Sequence, residues 1–124
     1  MSRLRALLVL PVVLLGAVLL PAQAGAAEPE PQLVHANTVN KCKLNVRAGA
    51  ELASQLLHTL TCTNYTTCTQ PAEKDAPCGK PVVGGRYSCV GPDGKQVTDD
   101  RWVPVAWRTP QAAYVALACA AFRK

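Results

Sequence analysis

The chain has 124 residues, 49% hydrophobic and 17% charged, with six cysteines and a formal net charge of +5. That apolar content is enough for a folded core and excludes a wholly disordered chain. The basic excess is dispersed with no run of Lys or Arg, so the dense basic face that nucleic-acid binding needs is missing.

The N-terminus reads as an export signal. Arg3 and Arg5 make a positive start, and Leu7 to Leu20 is apolar apart from the breaks at Pro11 and Gly16. Ala22-Gln23-Ala24-Gly25-Ala26-Ala27 then offers A-x-A cleavage sites ending at Ala24 or Ala26. The apolar run is short of the roughly 20 residues a spanning helix needs, so cleavage is expected and stable membrane insertion is not. Residues 1–26 are assigned as signal peptide. Loss of Arg3 and Arg5 leaves 11 basic against 8 acidic residues, a net charge of +3. The remainder has the length of one small domain.

Residues 27–38 contain Glu28-Pro29-Glu30-Pro31-Gln32. Alternating Pro and Glu favours an extended, solvated linker, and the folded domain is expected to span 39–124. From Lys41 to Arg47 the residues alternate. Cys42, Leu44 and Val46 fall on one side, Lys43, Asn45 and Arg47 on the other, as in a half-buried strand. Ala48-Gly49-Ala50 breaks it. Glu51 to Leu60 has two readings. Leu52, Leu56 and Leu60 suit one face of a short helix, or they anchor a structured loop.

Leu60 to Thr69 is rich in Thr and contains Tyr65, which favours strand. Asn64-Tyr65-Thr66 also fits a glycosylation sequon. Gln70 to Gly79 reads as a loop tethered by Cys68 and Cys78. Arg86 to Val90 and Lys95 to Thr98 flank Gly91-Pro92-Asp93-Gly94, a strong turn signal. They predict a hairpin carrying Cys89. Asp99 and Asp100 suit a solvated turn. Trp102 to Trp107 is the next expected strand, with Pro104 at an edge or bulge because it lacks an amide donor. Thr109 and Pro110 resemble the start of a helix. Tyr114 and Val115 prefer strand, so a single turn followed by a short strand is the other reading.

Cys42, Cys62, Cys68, Cys78, Cys89 and Cys119 are an even set in a short exported chain, which points to three disulfides. Zinc sites favour a closer cysteine pair than Cys62 and Cys68, and His35 and His58 are isolated, so no metal and no other cofactor is expected. A cysteine nucleophile needs a free thiolate. Ser54 and Ser88 sit in no nucleophile turn. In a strand Asp99 and Asp100 would point to opposite faces. The chain therefore reads as non-enzymatic.

Leu44-Asn45-Val46-Arg47-Ala48-Gly49 resembles the N-V-R-x-G signature of bacterial SH3-like (SH3b) domains. Leu56 to Leu60 stands where that family has a hydrophobic stretch. Trp102-Val103-Pro104-Val105 matches its W-x-x-V strand, and Tyr114-Val115 its closing Y-V segment. The likeness covers roughly residues 41 to 119 and is nearest to the secreted, cysteine-containing actinobacterial type. The chain departs from the pattern at Ala50, where the family usually has Pro, and at Ala113, where it has Gly. Cys62 to Gly85 is longer than the family's segment. Tyr65 to Cys68 and Arg86 to Cys89 compete for the second barrel strand.

The resemblance implies a mainly β fold, a small SH3-like barrel stapled by disulfides, with room for a short C-terminal helical turn. First and last strands of such a barrel lie close, which suggests a Cys42–Cys119 bridge. A Cys62–Cys78 or Cys68–Cys89 tie would anchor the longer segment. It also implies a secreted, monomeric binding module for a cell-wall peptide or an extracellular protein segment. The implied contact residues are Arg47, Tyr65, Trp102, Trp107 and Tyr114, although aromatics in so small a core are often simply buried. A second class is a disulfide-locked inhibitor of a protease or other extracellular enzyme, using the Thr69 to Gly85 loop with Lys74 and Lys80. A third, a membrane-lytic protein, lacks the basic amphipathic helix it would need.

Overall fold

The computed structural model describes residues 30–123. The expected signal peptide lies outside the described residues. The fold is mainly β, with eight strands in two antiparallel sheets and three disulfides.

The smaller sheet has the order β4-β1-β8, with β1 at Leu33–Ala36, β4 at Thr66–Thr67 and β8 at Ala120–Arg123. The larger has the order β3-β2-β7-β6-β5. Its strands are β2 (Leu44–Arg47), β3 (Leu56–Leu60), β5 (Val82–Val90), β6 (Gln96–Pro104) and β7 (Tyr114–Ala116). The ladders do not run on into one closed barrel. Backbone bonds still join the sheets: Thr69 N–H reaches the Pro104 carbonyl at 3.3 Å, and Ala106 N–H reaches Thr67 at 2.8 Å.

The alternation in β2 holds. Leu44 and Val46 are buried and Asn45 is exposed. The hairpin also holds and is longer than expected, since its arms are the whole of β5 and β6. Gly94 has φ 84°, where a side chain is disfavoured, and its N–H closes the turn on the Gly91 carbonyl at 2.8 Å. Asp99 and Asp100 form no turn. They lie within β6, which runs unbroken into Trp102 and ends at Pro104.

Two other expectations need correction, and two segments with open readings are decided. Leu33–Ala36 was assigned to the linker, yet it pairs with both β4 and β8. Its Val34 and Ala36 are fully buried, and three or four apolar residues beside a Pro-Glu run gave too short a signal to stand out. Glu51 to Leu60 is not helical. Ala48 N–H bonds the Gln55 carbonyl at 2.9 Å, closing a compact loop, and β3 follows. The strand expected over Leu60 to Thr69 shrinks to Thr66–Thr67, because Asn64 accepts hydrogen bonds from the Thr61 amide and hydroxyl and turns the chain. Thr109 and Pro110 start no helix. Gln111 N–H bonds the Arg108 carbonyl at 2.9 Å in a tight turn. β7, a 3-10 turn at Leu117–Cys119 and β8 follow, in line with the turn-and-strand alternative.

The disulfides are Cys42–Cys62, Cys68–Cys78 and Cys89–Cys119. None of the three pairings considered from the sequence forms. β1 is the strand that meets the last strand, so Cys42, which lies after β1, is not brought to Cys119. Instead Cys42–Cys62 ties the ends of the β2–β3 pair, and Cys89–Cys119 ties the end of β5 to the turn before β8. Cys68 and Cys78 close the expected loop on each other.

The core joins Val34 and Ala36 to Leu44, Val46, Val103 and Val115. One buried polar side chain, Asn37, locks three segments. Its amide donates to the carbonyls of Val90 at 3.2 Å and Cys119 at 3.4 Å, and its oxygen accepts from Asn40 N–H at 3.0 Å.

A distortion in β5 shapes the region next to Trp102. Val83 pairs with Arg101 and Tyr87 with Asp99, so β5 spends more residues than β6 between these points. Gly84-Gly85-Arg86 stand opposite Asp100 alone, two residues in excess, and form a bulge. A β-carbon at Gly84 would collide with the Ala50 carbonyl oxygen and stand 2.9 Å from the Trp102 ring. Gly84→Ala should therefore destabilise the oxidised protein by about 1–3 kcal/mol, measured by urea unfolding. Peptide mapping without reduction should return the three cross-links named above, and full reduction should add about 6 Da.

Candidate functional site

The alternation of β2 places Lys43, Asn45 and Arg47 on one face. Directly paired residues share a face. Arg47 pairs with Tyr114, Tyr114 with Pro104, and Ala116 with Trp102. Asn45, Arg47, Tyr114, Ala116 and Trp102 therefore lie on the side opposite Val46, Val103 and Val115.

On that side is a groove of about 120 Å³. Its floor is Trp102, Tyr87 and Ala116, all buried. One wall is Lys43, Asn45 and Arg47, and Leu52 contributes an exposed apolar side chain. The Cys89 and Cys119 positions, joined by their disulfide, border the rest together with Asn40 and Ser88. No carboxylate and no histidine lines it.

The floor is rigidly held. Trp102 is 1% exposed. Its indole N–H donates to the Gly85 carbonyl at 2.8 Å, and its ring meets Tyr87 edge-on with centroids 5.2 Å apart. The Tyr87 hydroxyl donates to the Arg101 carbonyl at 2.7 Å and accepts from Ala118 N–H at 3.1 Å. Burial pushes the Tyr87 phenol above its ordinary pKa, and the Ala118 amide opposes this. Arg47 donates to the Ser54 carbonyl at 3.1 Å, which fixes both the guanidinium and the 48–55 loop.

Nearby on β6, Asp99 lies 2.8 Å from Arg101. Burial raises its carboxyl pKa, but the Asp100 amide and Arg101 together hold it below the ordinary range. This ion pair is not part of the groove lining.

The five expected contact residues do not form one cluster. Arg47 and Trp102 line the groove, Trp102 as floor rather than as a projecting ring. Tyr114 is the cross-strand neighbour of Arg47 and is half-buried. Trp107 belongs to a separate group. His58 stacks on it with centroids 5.6 Å apart, and the Arg108 guanidinium carbon lies 4.3 Å from its ring centre. Tyr65, 52% exposed, faces Arg123 at 5.5 Å. Lys43, Asn45, Asn40, Leu52 and Ser88 were not singled out from the sequence. The alternation did mark Lys43, Asn45 and Arg47 as one face, but a face beside a strand reads as solvated until its neighbours are known.

Among the described residues no group of His, Cys, Asp and Glu could hold a metal ion, no cysteine is free, and no helix is long and apolar enough to cross a membrane. Comparison with family models, curated proteins and solved structures gave no match.

Tyr87→Phe would leave the Ala118 N–H and the Arg101 carbonyl without this partner and should cost about 1–3 kcal/mol. The pH dependence has a definite sign. A raised folded-state pKa gives stability that is complete below the unfolded value, about 10, and is lost as pH climbs toward the folded value. Alkaline unfolding curves of the wild type should show this loss near pH 10 and above, and those of Tyr87→Phe should show less of it.

Proposed function

We propose that this chain is a secreted, non-enzymatic binding module of the bacterial SH3-like type, recognising a cell-wall peptide or an extracellular protein segment. The groove over Trp102 is the observation that carries this reading. An apolar floor with a few fixed polar groups at its rim is the common form of a ligand site. The rim offers hydrogen-bond donors and cations.

Several features support the SH3-like architecture. The N-V-R-x-G segment forms β2 and the start of the loop that packs on the β5 bulge. The strand of the N-V-R-x-G segment and the strand of the closing Y-V segment, β2 and β7, pair through Arg47 and Tyr114. Hydrogen bonds from Thr69 to Pro104 and from Ala106 to Thr67 tie β4 of the smaller sheet to the end of β6 in the larger one. The signal-like N-terminus and three disulfides favour export into an oxidising compartment.

The inhibitor reading has less support. Glu73 and Ala76 exchange two backbone hydrogen bonds, 2.8 and 2.9 Å long, around Lys74 and Asp75. Lys74 thus sits at the tip of a tight turn, whereas strand-addition recognition requires an extended segment.

Co-sedimentation of the oxidised protein with purified cell-wall sacculi tests the wall-peptide reading. Saturable pelleting, weakened in a folded Lys43→Glu variant, is expected. Failure of the folded wild type to pellet would overturn the wall ligand and leave a protein segment as the target. Trp102→Ala is unsuitable as a probe, since emptying this core position should cost about 3–5 kcal/mol.

A further inference from the structure

We infer that the groove seats the C-terminal carboxylate of a peptide, with its small terminal side chain resting on the Trp102–Tyr87 floor. This rests on the groove being the ligand site of the proposed module.

The argument begins with donors that have no protein acceptor. The only salt bridge among the described residues is Arg101–Asp99, so the Lys43 ammonium has no carboxylate partner among them. Arg47 spends one N–H on Ser54 and keeps the rest of its fork. The Asn45 carbonyl oxygen accepts from the Thr59 hydroxyl at 2.9 Å, which leaves its amide N–H groups as the spare function. Two rim groups that can accept already have protein partners. The Ser88 hydroxyl pairs with Thr98 at 2.7 Å, and the Asn40 oxygen accepts from Val90 N–H at 3.4 Å. The complement of such a rim is a group that only accepts hydrogen bonds and bears negative charge, and a guanidinium fork favours a planar carboxylate.

Size and polarity narrow the choice. A pocket for a whole drug-sized ligand spans roughly 300–1,000 Å³. At about 120 Å³ this groove accepts an end group. The floor beside the donors is apolar, so it calls for a hydrocarbon group adjacent to the anion. A C-terminal residue supplies both. Inorganic phosphate supplies charge alone.

The test is an NMR titration of the uniformly ¹⁵N-labelled oxidised protein with acetyl-Ala-Ala as the free acid, as its C-terminal amide, and with inorganic phosphate. The acid should shift the Trp102 indole N–H and the Lys43 and Asn45 amides saturably. The amide should bind about tenfold more weakly, the loss of about 1.4 kcal/mol. Lys43→Glu, at an exposed position without side-chain partners, should lose a similar factor while keeping the wild-type spectrum elsewhere. Equal binding of acid and amide, competition by phosphate as effective as that by the acid, or no shift at about 10 mM acid would each overturn the inference. Stem-peptide fragments from digested sacculi and linear L-peptides, titrated in parallel, identify which source supplies the carboxylate. If sacculi pellet the protein while acid and amide behave alike, the carboxylate inference fails and the binding module stands. If nothing pellets and nothing shifts the groove, both fail.

Discussion

Trp102 is the side chain on which the rest of this small structure depends. Its indole is almost wholly covered, and most of the cover comes from three places in the chain. Tyr87 meets it edge-on, the Gly84-Gly85 bulge passes over it, and the loop after β2 packs on that bulge, with Gly85 N–H bonded to the Ala50 carbonyl at 2.8 Å. A buried indole N–H needs a partner, and the Gly85 carbonyl can serve only because the bulge turns it inward. Ring, bulge and loop are therefore one unit. Glycine at position 84 is a condition for closing it, since any β-carbon there meets backbone, which cannot rotate away.

The same unit explains why a groove forms on the sheet face opposite the main valine core. The valines of β2, β6 and β7 fill one side. On the other side Trp102 and Tyr87 give a second apolar layer too small to be buried by a sheet. The 48–55 loop covers part of it, and Arg47 fixes that loop through Ser54. What stays open is the groove, bounded by long polar side chains of β2. Such side chains lay their apolar stems over neighbouring surface while the charged ends stay in water, so the wall needs no further element.

Legibility in the sequence followed locality. The β2 alternation and the β5–β6 hairpin were readable because short-range pattern and turn chemistry determine them. Leu33–Ala36 was not readable, because its strand character comes from β4 and β8, one of them at the far end of the chain. The Ala-rich segment near the C-terminus was ambiguous for the same reason: its residues suit a helix in isolation, but pairing with β1 and β6 captures them as strands. The disulfide partners followed these non-local pairings and could not be read without them. For the site, Arg47 and Trp102 were visible through the N-V-R-x-G and W-x-x-V motifs. Lys43 and Asn45 gained a role only when β2 was placed beside β7 and a floor appeared next to them. Trp107 and Tyr65, contact residues implied by the resemblance, lie away from the groove, and each has a separate cationic neighbour.

One border of the groove is a covalent bond between cysteines. The shape of this groove is consequently a property of the chemical surroundings as well as of the amino-acid sequence. Before Cys89 and Cys119 join, the end of β5 and the turn ahead of β8 share the hydrogen bonds of Asn37 in place of a covalent tie. The finished groove is then acquired by oxidation. A fully reduced chain would lack this border.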